Sequence, residues 1–537
     1  MSGLGVDRIF EHRLARLING GARRPLARGR RGVEREALRV DPVSGRVART
    51  PHPEGLGAAL THPHITTDYS EALIELVTPT FEDNSALCAY LDDLHRFVYA
   101  HIDGELLWAT SMPCAIDGED EIPIARYGRS HAGFFKTVYR RGLRTRYGGI
   151  MQAIAGVHFN YSLPVDFWPV YADVLESRDT GSGFVSRCYF DLLRNFRRYG
   201  WLVPLLFGGS PALDASFLAG RGAGGLEARP GGTLFGRDAT SLRMSSIGYR
   251  NRAGAGAGVD VSVNALEAYL GDLKRAMRSV HPPFAALGVC VAGEYRQLND
   301  RLLQIENEYY SSIRPKRAPL AGEGTAHALA RAGVEYVEVR ALDVDWRAPG
   351  GVAPATLHVL EALLILCLLR DSPAIESAEQ AALDDNFEQI ASRGREAGLA
   401  LRRGHRDVPA LAWAAELLES LEGICELLDA GDAARPYARA LAAQRDALRQ
   451  PQLLPAALQL RALEDGGLPF QEFGRQLAEA HRAELDPSRL STARRWEFAA
   501  EAEESLAAQV AAEAAVRGGF DEYLRDRLAR QLDFAPR

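Results

Sequence analysis

Acidic side chains recur in stretches that otherwise read as buried strands, and these are the places where chemistry could sit. Glu34 and Glu36 stand two apart in residues 33–40, Val-Glu-Arg-Glu-Ala-Leu-Arg-Val. On a strand both side chains leave the same face, about 7 Å apart. Glu338 and Arg340 repeat that spacing with opposite charges in residues 334–342. Asp68 and Glu75 flank Glu71; with residues 73–78 as a strand, Glu75 shares a face with Leu73 and Val77, and Asp68 sits at the strand's mouth. His158 falls in residues 155–163, where Val157, Phe159 and Tyr161 alternate with Gly156, His158, Asn160 and Ser162. An unpaired buried carboxylate costs several kcal/mol, so such groups are normally paired or bound to a cation. Oxygen donors with one imidazole suit a hard cation such as Mg²⁺, held against a nucleotide polyphosphate.

Basic groups complete the set. Arg340 brings a planar fork suited to phosphate oxygens. Arg243, and Arg314, Lys316 and Arg317 further on, read as cations beside turns, fit for a phosphate or a substrate carboxylate. Each motif also has a plainer reading. Glu34 and Glu36 could mark a solvated strand, Glu338 with Arg340 an ion pair within one strand, and His158 a hydrogen-bonded structural residue. Asp68, Glu71 and Glu75 would line one solvated face if their segment were helical. Only the coincidence of all of them points to Mg²⁺-dependent phosphoryl transfer, and the residues alone do not name the substrate.

The elements that must hold these groups can be read from periodicity. Residues 7–19 and 83–103 space their apolar positions as helices do, and residues 33–40, 73–78, 155–163 and 334–342 read as strands. Residues 359–369 form an apolar run too short to span a membrane, which predicts a buried helix. Residues 219–258 are rich in glycine and suggest loops, with a lid as one use. From about residue 355 the composition turns to Ala, Leu, Glu and Arg, which predicts helices. The expectation is an α+β fold: a catalytic core over residues 1–350 and a helical region over 351–537 packed on it.

Bulk properties narrow the class. The chain has 537 residues, 47% hydrophobic and 25% charged, with a formal charge of −7. Net negative charge argues against nucleic acid or an anionic membrane as the main partner. The six cysteines are scattered without a zinc-ligand spacing, as expected of reduced thiols in the cytoplasm. No apolar signal segment opens the sequence, which also predicts a cytoplasmic protein.

Several ordered segments then carry a family resemblance: RGVEREALRV (31–40), LTHPHITTDYSEALIELVTP (60–79), SMPC (111–114), RYGGIMQAIAGVHFNYSLP (146–164), WLVPLLFGGSPA (201–212), ATSLRMSSIGY (239–249), LQIENEYYSSIRPKR (303–317) and GVEYVEVRALDVD (333–345). On these the chain closely resembles the glutamate–cysteine ligase family of the proteobacterial type. The resemblance implies a glutamine-synthetase-like fold, a curved and mainly antiparallel sheet forming a funnel. It implies ATP-dependent joining of the L-glutamate γ-carboxylate to the L-cysteine amine, with two or three Mg²⁺ ions that Mn²⁺ can replace. By the same resemblance Glu34, Glu36, Asp68, Glu75, His158 and Glu338 are metal ligands, with Glu75, Glu338 and Arg340 at the reacting groups and Arg340 on the transferred phosphate. Tyr139, Leu143, Gln152, Ile154, Arg243, Tyr249 and Tyr310 are implied for the amino-acid site. A monomer inhibited by glutathione is the accompanying expectation.

Overall fold

A computed structural model describes residues 7–248, 259–320 and 322–534. Its centre is a seven-stranded sheet built from β1 (Arg30–Val40), β2 (Ile65–Thr67), β3 (Leu73–Val77), β4 (Leu106–Leu107), β5 (Val157–Ser162), β6 (Ile313–Lys316) and β7 (Tyr336–Leu342). The strand order is β6-β7-β5-β1-β3-β2, with β4 added at the end of β1, and every pairing is antiparallel. The four strands expected from alternation are present. The segment Arg314-Pro-Lys, expected beside a turn, is instead the edge strand β6. Pro315 cannot donate to a ladder, and the edge is where a strand tolerates it.

Register decides which side chains meet. Glu36 lies opposite Glu75, Glu34 opposite His158, Asn160 opposite Glu338, and Glu338 opposite Arg314. Paired residues share a face, so one side of the sheet carries the acids and the other carries Val33, Ala37, Phe159, Val337 and Val339, all buried. The pairing of β7 with β5 shifts between Val339 and Leu342, beside Arg340.

Helices cover the apolar side. α1 (Arg8–Asn19) starts at Asp7, which accepts the Phe10 N–H at 3.1 Å, and α2 (Asn84–Tyr99) starts at Asp83, which accepts the Ala86 N–H at 2.7 Å. α3 (His131–Tyr147) begins at Ser130 in the same way but lies on the acidic side. α4 (Ser182–Tyr199) packs on α5 (Pro354–Leu369), the predicted buried helix, which also packs on α6 (Pro436–Arg449). One apolar core draws residues from Phe10 to Phe534. The helical third contains one hairpin that composition did not announce, Ala400–Arg403 with Arg406–Pro409. Its strands are poor in β-formers; Gly404, at φ 59°, makes the tight turn.

β1 is tied to the helical third by a buried cluster on the face away from the acids. Arg31 Nε donates to Glu361 Oε2 at 2.9 Å, and the Tyr437 hydroxyl donates to the same oxygen at 2.7 Å. Removing one partner leaves a charge buried and uncompensated. Glu361→Ala should therefore cost about 3–5 kcal/mol, seen as an earlier urea midpoint; an unchanged midpoint would show that the pair contributes nothing.

Part of the glycine-rich stretch forms regular structure. Glu227–Arg229 and Thr233–Phe235 form a small antiparallel sheet with Ala212–Asp214, turning through Gly231 and Gly232, each at φ 78°. The Phe470 N–H donates to the Thr233 hydroxyl at 2.7 Å, which docks this hairpin on the helical third. Residues 249–258, the rest of the expected lid, lie outside the described residues.

Candidate active site

The acidic face of the sheet forms a wall of a cavity of about 320 Å³. All six expected metal ligands line it: Glu34, Glu36, Asp68, Glu75, His158 and Glu338. Arg340, Arg314 and Lys316 line it from β7 and β6, and Tyr139, Leu143, Ile154, Arg243 and Tyr310 from the surrounding elements. Two expected residues do not. Gln152 is buried in the short turn Ile150–Ala153, and Arg317 points away, donating to the Gly333 carbonyl beside Glu335. Tyr249 lies outside the described residues. Of the glycine-rich stretch, only Arg243 reaches the cavity among the described residues.

The acids are strapped in place. His158 Nδ1 stands 3.0 Å from Glu34 Oε2, and Asn160 Nδ2 donates to Glu34 Oε1 at 2.9 Å. The Gly156 N–H donates to Glu36 Oε2 at 2.7 Å. Arg340 Nη1 donates to Glu338 Oε1 at 2.9 Å, while Lys316 Nζ is 3.5 Å from Glu338 Oε2. Glu71, between Asp68 and Glu75 in sequence, is structural: its carboxylate accepts the backbone N–H groups of His52 and Arg126.

Burial and mutual repulsion divide the acids into two kinds. Burial pushes Glu338 up, but Lys316, Arg340, His158 and Arg314 outweigh it and hold the carboxyl well below the ordinary range. Burial and Glu338 likewise push on Glu34, and its contacts with His158 and Lys316 bring it below that range. Glu75 goes the other way. Burial, then the charges of Glu34, Asp68 and Glu36, raise it well above an ordinary carboxyl against the pull of Arg140. Glu36 is raised too, by burial first. Arg340 is held firmly protonated, since Glu338, Glu36 and Glu34 outweigh its burial.

This donor set fits a hard divalent cation. Glu34, Glu75 and His158 offer ligand atoms that all lie within 4.8 Å of one another. Glu338 Oε2 is buried without a hydrogen bond, an arrangement that a bound cation would resolve.

Glu75 gives a direct test of that fit. A carboxyl raised on folding binds more protons folded than unfolded, so stability falls as pH rises from the ordinary carboxylate range through the raised value. Glu75→Gln should therefore melt higher than the parent near neutral pH without divalent cations, and show a flatter pH profile. With Mg²⁺ added, the parent should gain more than the variant. Equal gains in a melting series with Mg²⁺ and with chelator would remove Glu75 from the cation site.

Sequence reasoning missed one wall. On α3, Lys136 and Arg140 line the cavity with Tyr139 and Leu143, and the positions 136, 139, 140 and 143 are one helical face. The Arg140 guanidinium lies 4.5 Å from the Tyr127 ring centre, and its Nε donates to the Asp68 carbonyl. Burial, with Arg140 next, lowers Lys136 to about 8. Tyr69 also lines the cavity, with its hydroxyl buried and lacking a hydrogen bond.

An antiparallel sheet that gathers carboxylates, an imidazole and guanidinium groups around one small cavity defines an α+β enzyme built to bring anionic substrates together. Comparison with known proteins gives the family. The family model described as glutamate-cysteine ligase matches residues 14–390. A glutamate–cysteine ligase of Azotobacter vinelandii is 45% identical over 523 residues, covering 97% of this chain and 98% of the relative. One from a Janthinobacterium species is 44% identical over 519 residues, covering 97% and 98%. The crystal structure of a Francisella tularensis glutamate–cysteine ligase in complex with AMP superposes with a TM-score of 0.87 at 31% identity, covering 94% of this chain and 98% of that one. A Pasteurella multocida bifunctional glutathione synthetase shares the fold at a TM-score of 0.68 and 21% identity, over 88% of this chain and 55% of its own. The chain belongs to the glutamate–cysteine ligase family, as its motifs implied.

Proposed function

We propose that this protein joins the γ-carboxylate of L-glutamate to the amine of L-cysteine at the expense of ATP, giving γ-glutamylcysteine, ADP and phosphate. This is the first step of glutathione synthesis. The observation that carries the reading is the single sheet face on which Glu34, Glu36, Glu75, His158 and Glu338 converge beside Arg340.

The chemistry needs that arrangement because two anions must meet. The glutamate γ-carboxylate attacks the γ-phosphate of ATP, and the resulting γ-glutamyl phosphate is open to the neutral amine of cysteine. Glu34, Glu36, Asp68, Glu75, His158 and Glu338 would hold Mg²⁺, which would supply charge neutralisation on the polyphosphate. Arg340, fixed by Glu338, offers its fork to the transferred phosphoryl group. Arg314 and Lys316 add positive charge on the edge strand. Tyr139, Leu143 and Ile154 form an apolar wall suited to a small thiol side chain, and Arg243 with Tyr310 suits a substrate carboxylate. Such a pocket rejects larger amino acids more strongly than slightly smaller ones.

Phosphate release from ATP and Mg²⁺, measured with glutamate and a panel of amines, tests the reading. Release should require glutamate and rise with cysteine, more weakly with small homologues of cysteine. Release that another amine supports and cysteine does not would replace it. Glutathione, carrying both amino-acid groups, should compete at the same site. No helix among the described residues is long and apolar enough to cross a membrane, and the six cysteines are unpaired; a cytoplasmic monomer is the accompanying proposal.

A further inference from the structure

Arg243 stands in a turn outside the main sheet, yet its guanidinium reaches the cavity wall and is almost fully buried. It is held from several directions. Nη2 donates to the Arg340 backbone carbonyl at 3.0 Å, Nη1 contacts Met244 Sδ at 3.0 Å, and Nη1 lies 3.7 Å from Asp343 Oδ1. Asp343 follows the end of β7 and is buried. Its Oδ2 accepts the Gly209 N–H at 2.9 Å and the Ser210 hydroxyl at 2.6 Å, and its Oδ1 accepts the Ser241 hydroxyl at 2.8 Å.

Those serines hold the turn that carries Arg243. The Met244 N–H donates to Ser241 Oγ at 3.2 Å, and the Arg243 N–H to Ser210 Oγ at 3.4 Å. Asp343 thus fixes both ends of the arginine, its backbone N–H through the Ser210 hydroxyl and its head group by charge. A carboxylate buried this deeply persists only with such partners.

Space for the head group is provided by one missing methyl. A Cβ on Gly156 would lie 2.1 Å from Arg243 Nη2 and 2.6 Å from its Cζ. Gly156 has no left-handed backbone angle, so conformational freedom does not explain a glycine there. The close approach does.

We propose that Asp343 and Gly156 together position Arg243: Asp343 anchors the guanidinium, Gly156 gives it room, and the arginine is thereby preset to receive the carboxylate of an amino-acid substrate. This rests on the proposed reading of Arg243 as a carboxylate-binding residue. Arginine loses considerable side-chain freedom when it is fixed, and fixing it before the substrate arrives removes that cost from binding.

The test is steady-state kinetics on the full chain, varying glutamate, cysteine and ATP in turn, for Asp343→Asn, Gly156→Ala, Arg243→Ala and Asp343→Asn with Arg243→Ala, alongside melting temperatures. Asp343→Asn and Gly156→Ala should each raise KM for one amino acid about tenfold or more, the same one that Arg243→Ala affects. KM for ATP should stay within about twofold of the parent in both. In the Arg243→Ala background, Asp343→Asn should add nothing further. Amino-acid KM values unchanged in Asp343→Asn or Gly156→Ala, while Arg243→Ala raises one, would overturn the positioning role and spare the underlying reading. Unchanged values in Arg243→Ala itself would overturn both. Should Asp343→Asn fail to fold, Gly156→Ala decides, because the three atoms nearest its added methyl all belong to the Arg243 guanidinium and none to the backbone.

Discussion

Arg340→Lys is expected to lower kcat by about 10²–10³-fold while leaving the Mg²⁺ requirement and the KM for ATP close to the parent. Lysine keeps the charge but loses the planar fork, of which one arm, Nη1, donates to Glu338 at 2.9 Å and faces His158 Nδ1 at 3.3 Å. The transferred phosphoryl group gains negative charge that must be met in a fixed direction, and a mobile ammonium does this poorly. Single-turnover phosphate release separates the two cases. A slowed chemical step supports the role, whereas normal kcat with raised KM would make Arg340 a ground-state binding residue only.

Glu338→Gln should be at least as severe, with a different signature. It removes a carboxylate held in its ionised form by Lys316, Arg340 and Arg314, and it releases Arg340 from its anchor. Loss of kcat by about 10²–10³-fold should therefore come with a rise in the Mg²⁺ concentration needed for half-maximal rate, by more than about tenfold. The Arg340 variant should lack this rise, and the contrast assigns one residue to the cation and the other to the phosphoryl group. A Glu338→Gln enzyme saturating at ordinary Mg²⁺ would remove Glu338 from the metal site.

Much of this site was legible because β-strands have a strict period of two. The pairs Glu34/Glu36 and Glu338/Arg340 announce a common face as soon as a strand is granted, and alternation around His158 identifies its polar side. Register was not legible. That Glu36 faces Glu75, and Glu34 faces His158, depends on pairings between residues far apart in sequence. Proline disguised β6, since a short run containing Pro315 reads as a turn unless it is known to be an edge. Lys136 and Arg140 were missed although their spacing from Tyr139 and Leu143 is helical, because basic residues on a helix usually face solvent. Gly231 and Gly232 fall in a stretch that reads only as loops, and what their hairpin packs against lies more than two hundred residues away, at Phe470. Asp343 gave no local signal at all; its role appears only when Ser210, Ser241 and Arg243 are brought around it.

A crystal structure with an unreactive ATP analogue and Mn²⁺, with the metal located by its anomalous scattering, tests the central claim most directly. Manganese should appear between the carboxylates of Glu34, Glu36, Glu75 and Glu338 and the imidazole of His158, with the polyphosphate reaching toward Arg340. Manganese bound elsewhere, or a nucleotide tail directed away from this face of the sheet, would contradict the account.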